Sequence, residues 1–574
     1  MFDTKIDISH IPFSRYGAYA AIAAVPANDE RTSFKELILL YAKLRGGESP
    51  MFSVKVGTEE RQEFACTADA GSVKISTDSG FATLYIRDDD TIIIDSEGLD
   101  LHFDTFARGT YGTEYGNDKF SLIINPYSVF ATLYILEGEG KLLADPNSKR
   151  VIKRDMDFRC VDGKMRIGIT MTLKQPKELP LPIDPEADIA QIKKEWEEFA
   201  AQMEDLESAD EKTNAFTLLT WYNMWSSFVR ADDIYYRDSM LMSKKGMSAL
   251  WSWDHCFNAL AIARCKDRGF AKKKAFDQFA APFWLQTNKG VLPDMWNPDN
   301  ITRWGTTKPP VHGWCFSRLM DYFEFDKEEL ETVYGWLEKW TSWWLNYSDT
   351  DNDGIPDYPQ GCDSGWDNST LFDMGFYVET PDLPAYLIMQ MNTLARISRK
   401  LGDEEKAKDW DKKAKEMLDR FIAHSWNGER FVPKLSISHE QQENPTSLLS
   451  LMPLVLGDLL PKDIFDKLVK VLKRDFITDV GLATEMPTSP EYNPDGYWRG
   501  PIWAPSTYLI TDGLRRGGYV ELATEIAKKY CNMSCNLAKG NYENFDALTG
   551  IGRRAPGYTW SASVYMMLRG EYVK

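Results

Sequence analysis

Past about residue 208 the sequence keeps a regular beat, and that beat limits the folds open to it. Twelve helical stretches can be read there, over about 209–230, 253–266, 268–287, 311–324, 327–347, 381–400, 403–424, 445–456, 462–474, 501–516, 519–538 and 558–570. The loops entering every second stretch are rich in aromatic, charged, Gly and Pro residues. They contain Trp251-Ser-Trp-Asp-His255, Lys308-Pro-Pro-Val-His-Gly-Trp314, Ser364-Gly-Trp-Asp-Asn368, Glu440-Gln-Gln-Glu-Asn-Pro445, Tyr497-Trp-Arg-Gly-Pro-Ile-Trp503 and Ala555-Pro-Gly-Tyr-Thr-Trp560. The loops between are plain, such as Lys266-Asp-Arg-Gly269. A helix pair repeated six times predicts a closed ring whose alternate helices form the inner wall. The decorated loops then open at one end, where a concave site is the default binding position. An open helical array with tryptophans as ordinary core is the alternative.

The first 195 residues differ in kind. All nineteen tryptophans lie at or after Trp196. Residues 1 to about 180 read as short strands, among them Tyr19–Val25, Ser72–Ser76, Phe81–Ile86, Thr91–Asp95 and Lys164–Leu173. Strands without intervening helical patterns predict a β-sandwich. Lys174-Gln-Pro-Lys-Glu-Leu-Pro-Leu-Pro-Ile-Asp-Pro185 reads as an extended proline-rich linker. The expected organisation is a β-sandwich domain at 1–180, a linker at 181–207 and a helical domain at 208–574.

Charge narrows the partners. A net charge of −19 without a basic tract argues against nucleic acid, and a neutral ligand fits better. No apolar run is long enough for a membrane helix. The start lacks the basic, then apolar pattern of a signal peptide, so a cytoplasmic location is the expectation. The eight cysteines are scattered and read as reduced thiols.

Two acids stand out. Asp367 follows Trp366 in a Gly-containing loop. A sugar ring suits an aromatic platform flanked by carboxylates and amides, and an apolar wall raises a carboxyl pKa as a general acid requires. Taken alone, Asp367 reads as a helix or turn cap. Glu543, in Asn541-Tyr-Glu-Asn-Phe-Asp546, is a second acid among aromatics, or alone a solvated loop residue. Glycoside hydrolysis usually uses two such groups, one on each side of the bond.

The ordered set Trp251-Ser-Trp-Asp254, Lys308-Pro-Pro310, Asp363-Ser-Gly-Trp-Asp367, Trp498-Arg-Gly-Pro501, Tyr542-Glu-Asn-Phe-Asp546 and Gly557-Tyr-Thr-Trp560 resembles glycoside hydrolase family 63, relatives of the trehalases. The resemblance covers about residues 200 to 574. It implies an (α/α)6 barrel catalytic domain and an inverting mechanism with Asp367 as general acid and Glu543 as base. It also implies that Trp253, Asp254 and Arg499 contact sugar. Around them Trp251, Trp296, Trp366, Asn368, Trp498, Gly500, Trp503 and Trp560 are candidate substrate-binding residues, some lining the sugar and others core. His255 and His312 fall in the same loops, where they bind sugar hydroxyls or pack at helix starts.

The sequence departs from the trehalase-like pattern at Lys308, where Gln is usual. That cation pairs with an acid in the site, meets an anionic aglycone such as glycerate, or is a solvated loop lysine. Asp363 stands where relatives often have Glu. The large membrane-anchored relatives have an anchor that is not seen here, which favours a bacterial-type enzyme on small sugars. An inverting exo-acting α-glucosidase is the leading expectation, with trehalose or a glucosyl- or mannosyl-glycerate as alternative substrates. A sugar epimerase, lyase or binding module on the same ring is the remaining alternative. Linkage, aglycone and oligomeric state stay open.

Asp349-Thr-Asp-Asn-Asp-Gly-Ile-Pro-Asp357 resembles the first part of a calcium loop. Either Asp349, Asp351, Asp353 and Asp357 hold a structural calcium, or the stretch is an Asp-rich turn. Position 12 is Gln360 rather than Glu. Hydrolysis by two carboxyls requires no cofactor.

Overall fold

The structure is a computed structural model that describes residues 4–44, 50–106, 110–116, 118–124, 129–144, 153–173, 175–206, 208 and 210–573. Its N-terminal part holds two antiparallel sheets. The six-stranded sheet runs, in spatial order, Ala20–Pro26, Phe34–Tyr41, Pro50–Val56, Leu101–Thr105, Lys153–Arg159 and Glu139–Ala144. The eight-stranded sheet runs Ala65–Ala68, Val73–Thr77, Gly80–Ile86, Thr91–Glu97, Lys164–Leu173, Val129–Glu137, Lys119–Ile124 and Thr110–Tyr115. Alternation of side chains sends Leu37, Leu39, Val54, Phe103 and Phe158 of one sheet, and Leu84, Ile94, Ile167 and Phe120 of the other, into one apolar core. Phe120 meets Phe158 across the sheets at 6.0 Å between ring centroids.

The stretch read as linker is partly helical. Residues 175–184 are irregular, but α1 (Pro185–Ala200) begins immediately after them. Asp184 caps it, accepting from Ala187 N–H, and Pro185 occupies the first turn, where the missing N–H costs nothing. Ile192, Trp196, Phe199 and Ala200 are its buried face. Trp196 packs against Tyr222 and Trp225 of α2 (Glu211–Ser227), so the helix is docked and not a tether.

Further helices follow in chain order: α3 (Asp254–Ile262), α4 (Arg268–Ala280), α5 (His312–Tyr322), α6 (Lys327–Tyr347), α7 (Asp382–Lys400), α8 (Glu404–Ser425), α9 (Lys462–Asp475), α10 (Ala504–Arg516), α11 (Val520–Asn532) and α12 (Thr559–Tyr572). The helix expected over 445–456 is instead a 3-10 segment, Leu448–Leu459. Pro453 removes a donor inside it and Gly457 breaks it at φ 59°. Contacts among the inner elements run in a cycle: α3 with α5, α5 with α7, α7 with the 3-10 segment, that segment with α10, α10 with α12, and α12 with α3. α3 is buried along its whole length, as a helix surrounded by others must be. Gly513 permits one close crossing, since a Cβ there would lie 2.0 Å from Leu454 O.

Candidate active site

The entry loops of α3, α5, α7, α10 and α12 converge on one group of acids. The loop before α7 carries Asp367. It begins with a single turn, Gly361–Ser364, ended by Gly365 at φ 73°. A side chain at Gly365 would meet the Trp253 ring at 2.8 Å, so only glycine satisfies both demands. Ser364 Oγ donates to Gly361 O and accepts from Trp366 N–H, which turns Trp366 inward. Trp366 is buried and packs on Trp498 at 4.5 Å. Asp367 then emerges with its side chain 34% exposed, its Oδ1 3.8 Å from Lys308 Nζ.

The next residues lock this loop to the loop before α10. Asn368 donates to Gly496 O at 3.0 Å and accepts from Trp498 N–H at 2.9 Å. Arg499 Nε donates to Asn368 O at 2.8 Å, and its guanidinium also pairs with Asp373 and Glu491. Arg499 thus braces the acid loop, and its charge is already matched by two carboxylates. Gly500, at φ 148°, lets the backbone pass Asn493 O, which a Cβ would meet at 2.5 Å.

Glu543 sits on strand Tyr542–Phe545, which pairs with Gly552–Pro556 and, through Phe545, with Ile502. It is buried. Tyr497 Oη donates to Glu543 Oε1 at 3.0 Å, and the Ala555 backbone N–H supplies a second donor. Burial raises the Glu543 carboxyl above its ordinary range, with Tyr497, Ala555 and Arg554 opposing and Asp367 adding to the rise. Burial likewise raises Asp367, opposed by Lys308 and helped by Asp294. Asp254, the first residue of α3, is buried, with Oδ2 lacking a partner among the described residues. Burial raises it strongly, Lys308 opposes, and Asp294 and Glu543 reinforce. Glu543, Asp367 and Asp254 all act on the Tyr497 hydroxyl, which marks them as one cluster.

Lys308 is buried among these acids. Its Nζ donates to Cys362 O at 2.6 Å and pairs with Asp294 Oδ1 at 3.2 Å. Burial pulls its pKa down, but Asp367 and Asp294 outweigh that and raise it, so the ammonium stays charged. Of the three readings of Lys308, pairing with site acids is the one the geometry matches. Asp363, the neighbouring departure, accepts from Thr307 N–H at 2.7 Å and Thr307 Oγ1 at 2.9 Å and so ties the acid loop to the loop before α5.

The tryptophans form the floor. Trp498 and Trp503 stack at 3.9 Å and 6°. Trp253 stands edge-on to Trp560 at 5.6 Å, and Trp560 to Trp503 at 5.5 Å. Trp366, Trp498 and Trp503 are 1% exposed, so packing is their main work, while Trp251 is half-buried beside the buried Trp296. His312 is fully buried and its Nε2 meets Ser252 O at 2.6 Å. Burial lowers it to about 4, so the neutral ring donates to that carbonyl and holds the Trp251–Trp253 loop. His255 is also buried, lowered to about 3, and stacked on Trp296. Both histidines pack at helix starts.

Asp349, Asp351 and Asp353 gather with donor atoms within 4.8 Å of one another. Asp357 does not join them. Its Oδ2 accepts from Thr350 N–H at 3.0 Å. Asp294 and Tyr497 went unread in the sequence as site residues. Their only signal was position, in Pro293-Asp-Met-Trp296 and directly before Trp498-Arg-Gly-Pro501.

The chain's matches to known proteins point the same way. The model of the mannosylglycerate hydrolase MGH1-like glycoside hydrolase domain matches residues 247–561, more than half of the chain. The chain belongs to this family, within glycoside hydrolase family 63, and is a glycoside hydrolase. It is 21% identical over 410 residues to the mannosylglycerate hydrolase of Rubrobacter radiotolerans, covering 55% of this chain and 89% of that protein. The match to the mannosylglycerate hydrolase of Thermus thermophilus is 37% identical but spans 78 residues, 14% of this chain and 18% of that enzyme. A bacterial glucoamylase complexed with acarbose superposes with a TM-score of 0.64 at 11% identity, covering 99% of this chain and 94% of that one. That likeness shows the fold alone, and it extends over both the sheets and the helices. No described helix is long and apolar enough to cross a membrane.

Proposed function

We propose that this chain is an inverting glycoside hydrolase that cleaves a small α-glycoside, with Asp367 as general acid and Glu543 as general base. The cyclic contacts of the inner helices support reading the helical region as an (α/α)6 barrel with this site at its mouth. One contrast carries the assignment of roles. Both acids are raised by burial, but Glu543 receives donors from Tyr497 and Ala555, which favour the carboxylate form. Asp367 has its own backbone N–H and the more distant Lys308. The first suits a base and the second a proton donor. Asp367 then protonates the leaving oxygen while Glu543 draws a proton from water on the opposite face of the ring. Inversion asks for the carboxyl groups to stand about 6.5–9.5 Å apart. Asp254, with a bare buried oxygen, accepts from a sugar hydroxyl.

Proton NMR of a fresh digest tests the stereochemistry: an α-linked substrate should release the β-anomer first, and initial α-anomer rules inversion out. Asp367→Asn and Glu543→Gln should each lower kcat by about 10²–10⁴-fold.

One observation favours a glycosylglycerate as the substrate. The exposed Arg303, which pairs with Asp294 at 3.6 Å, acts electrostatically on Asp367, the acid on the leaving-group side, so a guanidinium stands where an aglycone carboxylate needs a cation. The family model named for mannosylglycerate hydrolases agrees. Parallel assays on α-glycosides of glycerol and of glycerate, with Arg303→Gln, separate the readings. A rise in KM confined to the glycerate substrate supports the anionic aglycone; equal change on both removes it.

A further inference from the structure

A cleft of about 810 Å³ lies between the N-terminal segment and strand Tyr542–Phe545, and the reaction proposed above gives it no task. Successive side chains of a strand point to opposite sides. Glu543 faces the acids of the site, whereas Tyr542 lines the cleft and meets His10 of the N-terminal segment. None of Asp254, Asp367 and Glu543 lines it. The cleft is therefore separate from the catalytic site, although one peptide bond joins Tyr542 to Glu543.

The hydrogen bonds there leave a donor and an acceptor free. A guanidinium only donates, so His10 Nδ1 accepts from Arg31 Nη1 at 3.3 Å. Burial lowers His10 to about 4 and keeps the ring neutral, so its single proton is on Nε2. Nε2 then donates to Tyr542 Oη at 3.1 Å. The Tyr542 hydroxyl keeps its own proton, with no acceptor for it among the described residues. Asn541, 1% exposed, also lines the cleft. Its Nδ2 donates to Thr220 Oγ1 at 3.1 Å, and its Oδ1 is buried without a partner among the described residues. Asn223, whose Oδ1 would stand 3.5 Å from a Cβ on the cleft residue Gly557, has both amide atoms bare as well. Each buried polar atom left bare costs about 1–3 kcal/mol, which a bound hydroxyl would relieve.

The lining sets the class of ligand. Lys5, Arg31 and Lys539 are balanced by Asp7, Asp29 and Glu30, so the cleft selects no net charge. Ile8, Phe34 and Leu219 add apolar surface. A hydroxyl donates and accepts at once, as Asn541 Oδ1 and the Tyr542 O–H require, and a sugar ring offers several hydroxyls beside a face of C–H groups. We propose that this cleft is a second, non-catalytic site for a free monosaccharide, held by Asn541 and Tyr542 against the N-terminal segment. Hydrolysis of a glycoside releases a sugar of this class. Product in the cleft would therefore bear on the strand that carries Glu543 and touch none of the reacting atoms.

Equilibrium dialysis of the full chain against labelled D-mannose alone, and separately D-glucose alone, tests this. At least one of these sugars should occupy a site in the cleft besides the catalytic one, and a crystal grown with it should show the ring on Asn541 and Tyr542. Leu219 is half-buried on α2 and lines the cleft, so Leu219→Trp should fold, fill the space and lose the second site while kcat/KM stays near wild type. Tyr542→Phe should weaken the second site by about three- to tenfold, the worth of one hydrogen bond. Absence of a second site for both sugars, or a second site of wild-type affinity in folded Leu219→Trp or in Tyr542→Phe, would each overturn the proposal.

Discussion

At the residue scale Lys308 sets the charge beside the proposed acid, Asp367. Its ammonium lies between Asp294 and Asp367 and opposes the rise that burial imposes on the Asp367 carboxyl. In the proposed mechanism the acid must hold its proton at working pH, so activity should fall as pH rises through the raised Asp367 value. It should also fall as pH drops through the raised Glu543 value, because the base must be ionised. Lys308→Gln removes the cation, and Asp367 then rises further. The alkaline limb of kcat/KM should move to higher pH, and substrates with neutral and anionic aglycones should suffer alike. An unmoved limb, or a loss restricted to anionic substrates, would contradict this role. The departure at Lys308 was visible in the sequence. Its partner Asp294 was not, because the pairing is made by the fold and leaves no spacing rule behind.

At the element scale the proposed base Glu543 is set by strand Tyr542–Phe545, which the N-terminal segment grips from behind. His10 Nε2 meets Tyr542 Oη at 3.1 Å, and Nδ1 of the same ring lies 3.3 Å from Arg31, which pairs with Asp7. Ser561 Oγ donates to Tyr542 O from α12. Burial lowers His10 to about 4, so the ring is neutral through the working range. Tyr542→Phe should cost about 1 kcal/mol in stability. It should lower kcat more than it raises KM, since it loosens the residue next to Glu543 and touches no substrate; a change in KM alone would place it in the binding surface. This grip could not be read from sequence, since it joins residues 10 and 542. The strands and most helices could, because period and caps are local. Helix α1 was hidden by the prolines before it, and the Leu448–Leu459 segment looked helical because its apolar residues masked Pro453 and Gly457. The site loops were legible as motifs, with Arg499 read from the resemblance as a sugar contact and His312 as a hydroxyl binder or a helix-start residue, while their pairings with Asn368 and Ser252 were not legible because tertiary packing sets them.

At the scale of the whole molecule, sheets and helices share one apolar cluster, and polar ties cross between them. Tyr222 Oη donates to Ser14 O at 3.0 Å, and Lys244 Nζ reaches Ser14 Oγ at 3.0 Å. Away from the site loops, a buried charge network joins three inner helices. Asp512 of α10 accepts from Trp314 Nε1 at 3.0 Å and Arg318 Nη1 at 2.5 Å of α5, and Arg318 Nη2 reaches Glu571 of α12 at 2.7 Å. Burial raises Asp512, but Arg318, Arg516 and the hydrogen bonds outweigh it and hold the carboxyl far below its ordinary 3.8. The folded form thus resists a proton that the unfolded chain accepts near 3.8. The stabilisation is present above that pH and is lost as pH falls below it. The buried histidines His10, His255 and His312, with lowered values, add an acid loss between about 6.5 and their own values near 3 to 4. The raised carboxyls oppose it over part of that window, Asp382, at about 7, most clearly. Below about 3.8 those carboxyls are protonated in both states, so the remaining slope belongs to His255, down to about 3, and to depressed acids such as Asp512. Asp512→Asn keeps the shape but removes the charge and leaves Arg318 short of a partner, which should cost about 3–5 kcal/mol at pH 7. Denaturant unfolding at pH 7 and pH 3 checks this. The gap between wild type and variant should narrow markedly at pH 3, while kcat of the folded variant at pH 7 stays near wild type. A gap that does not change with pH would mean that packing around Asp512, and not its charge, holds the three helices together.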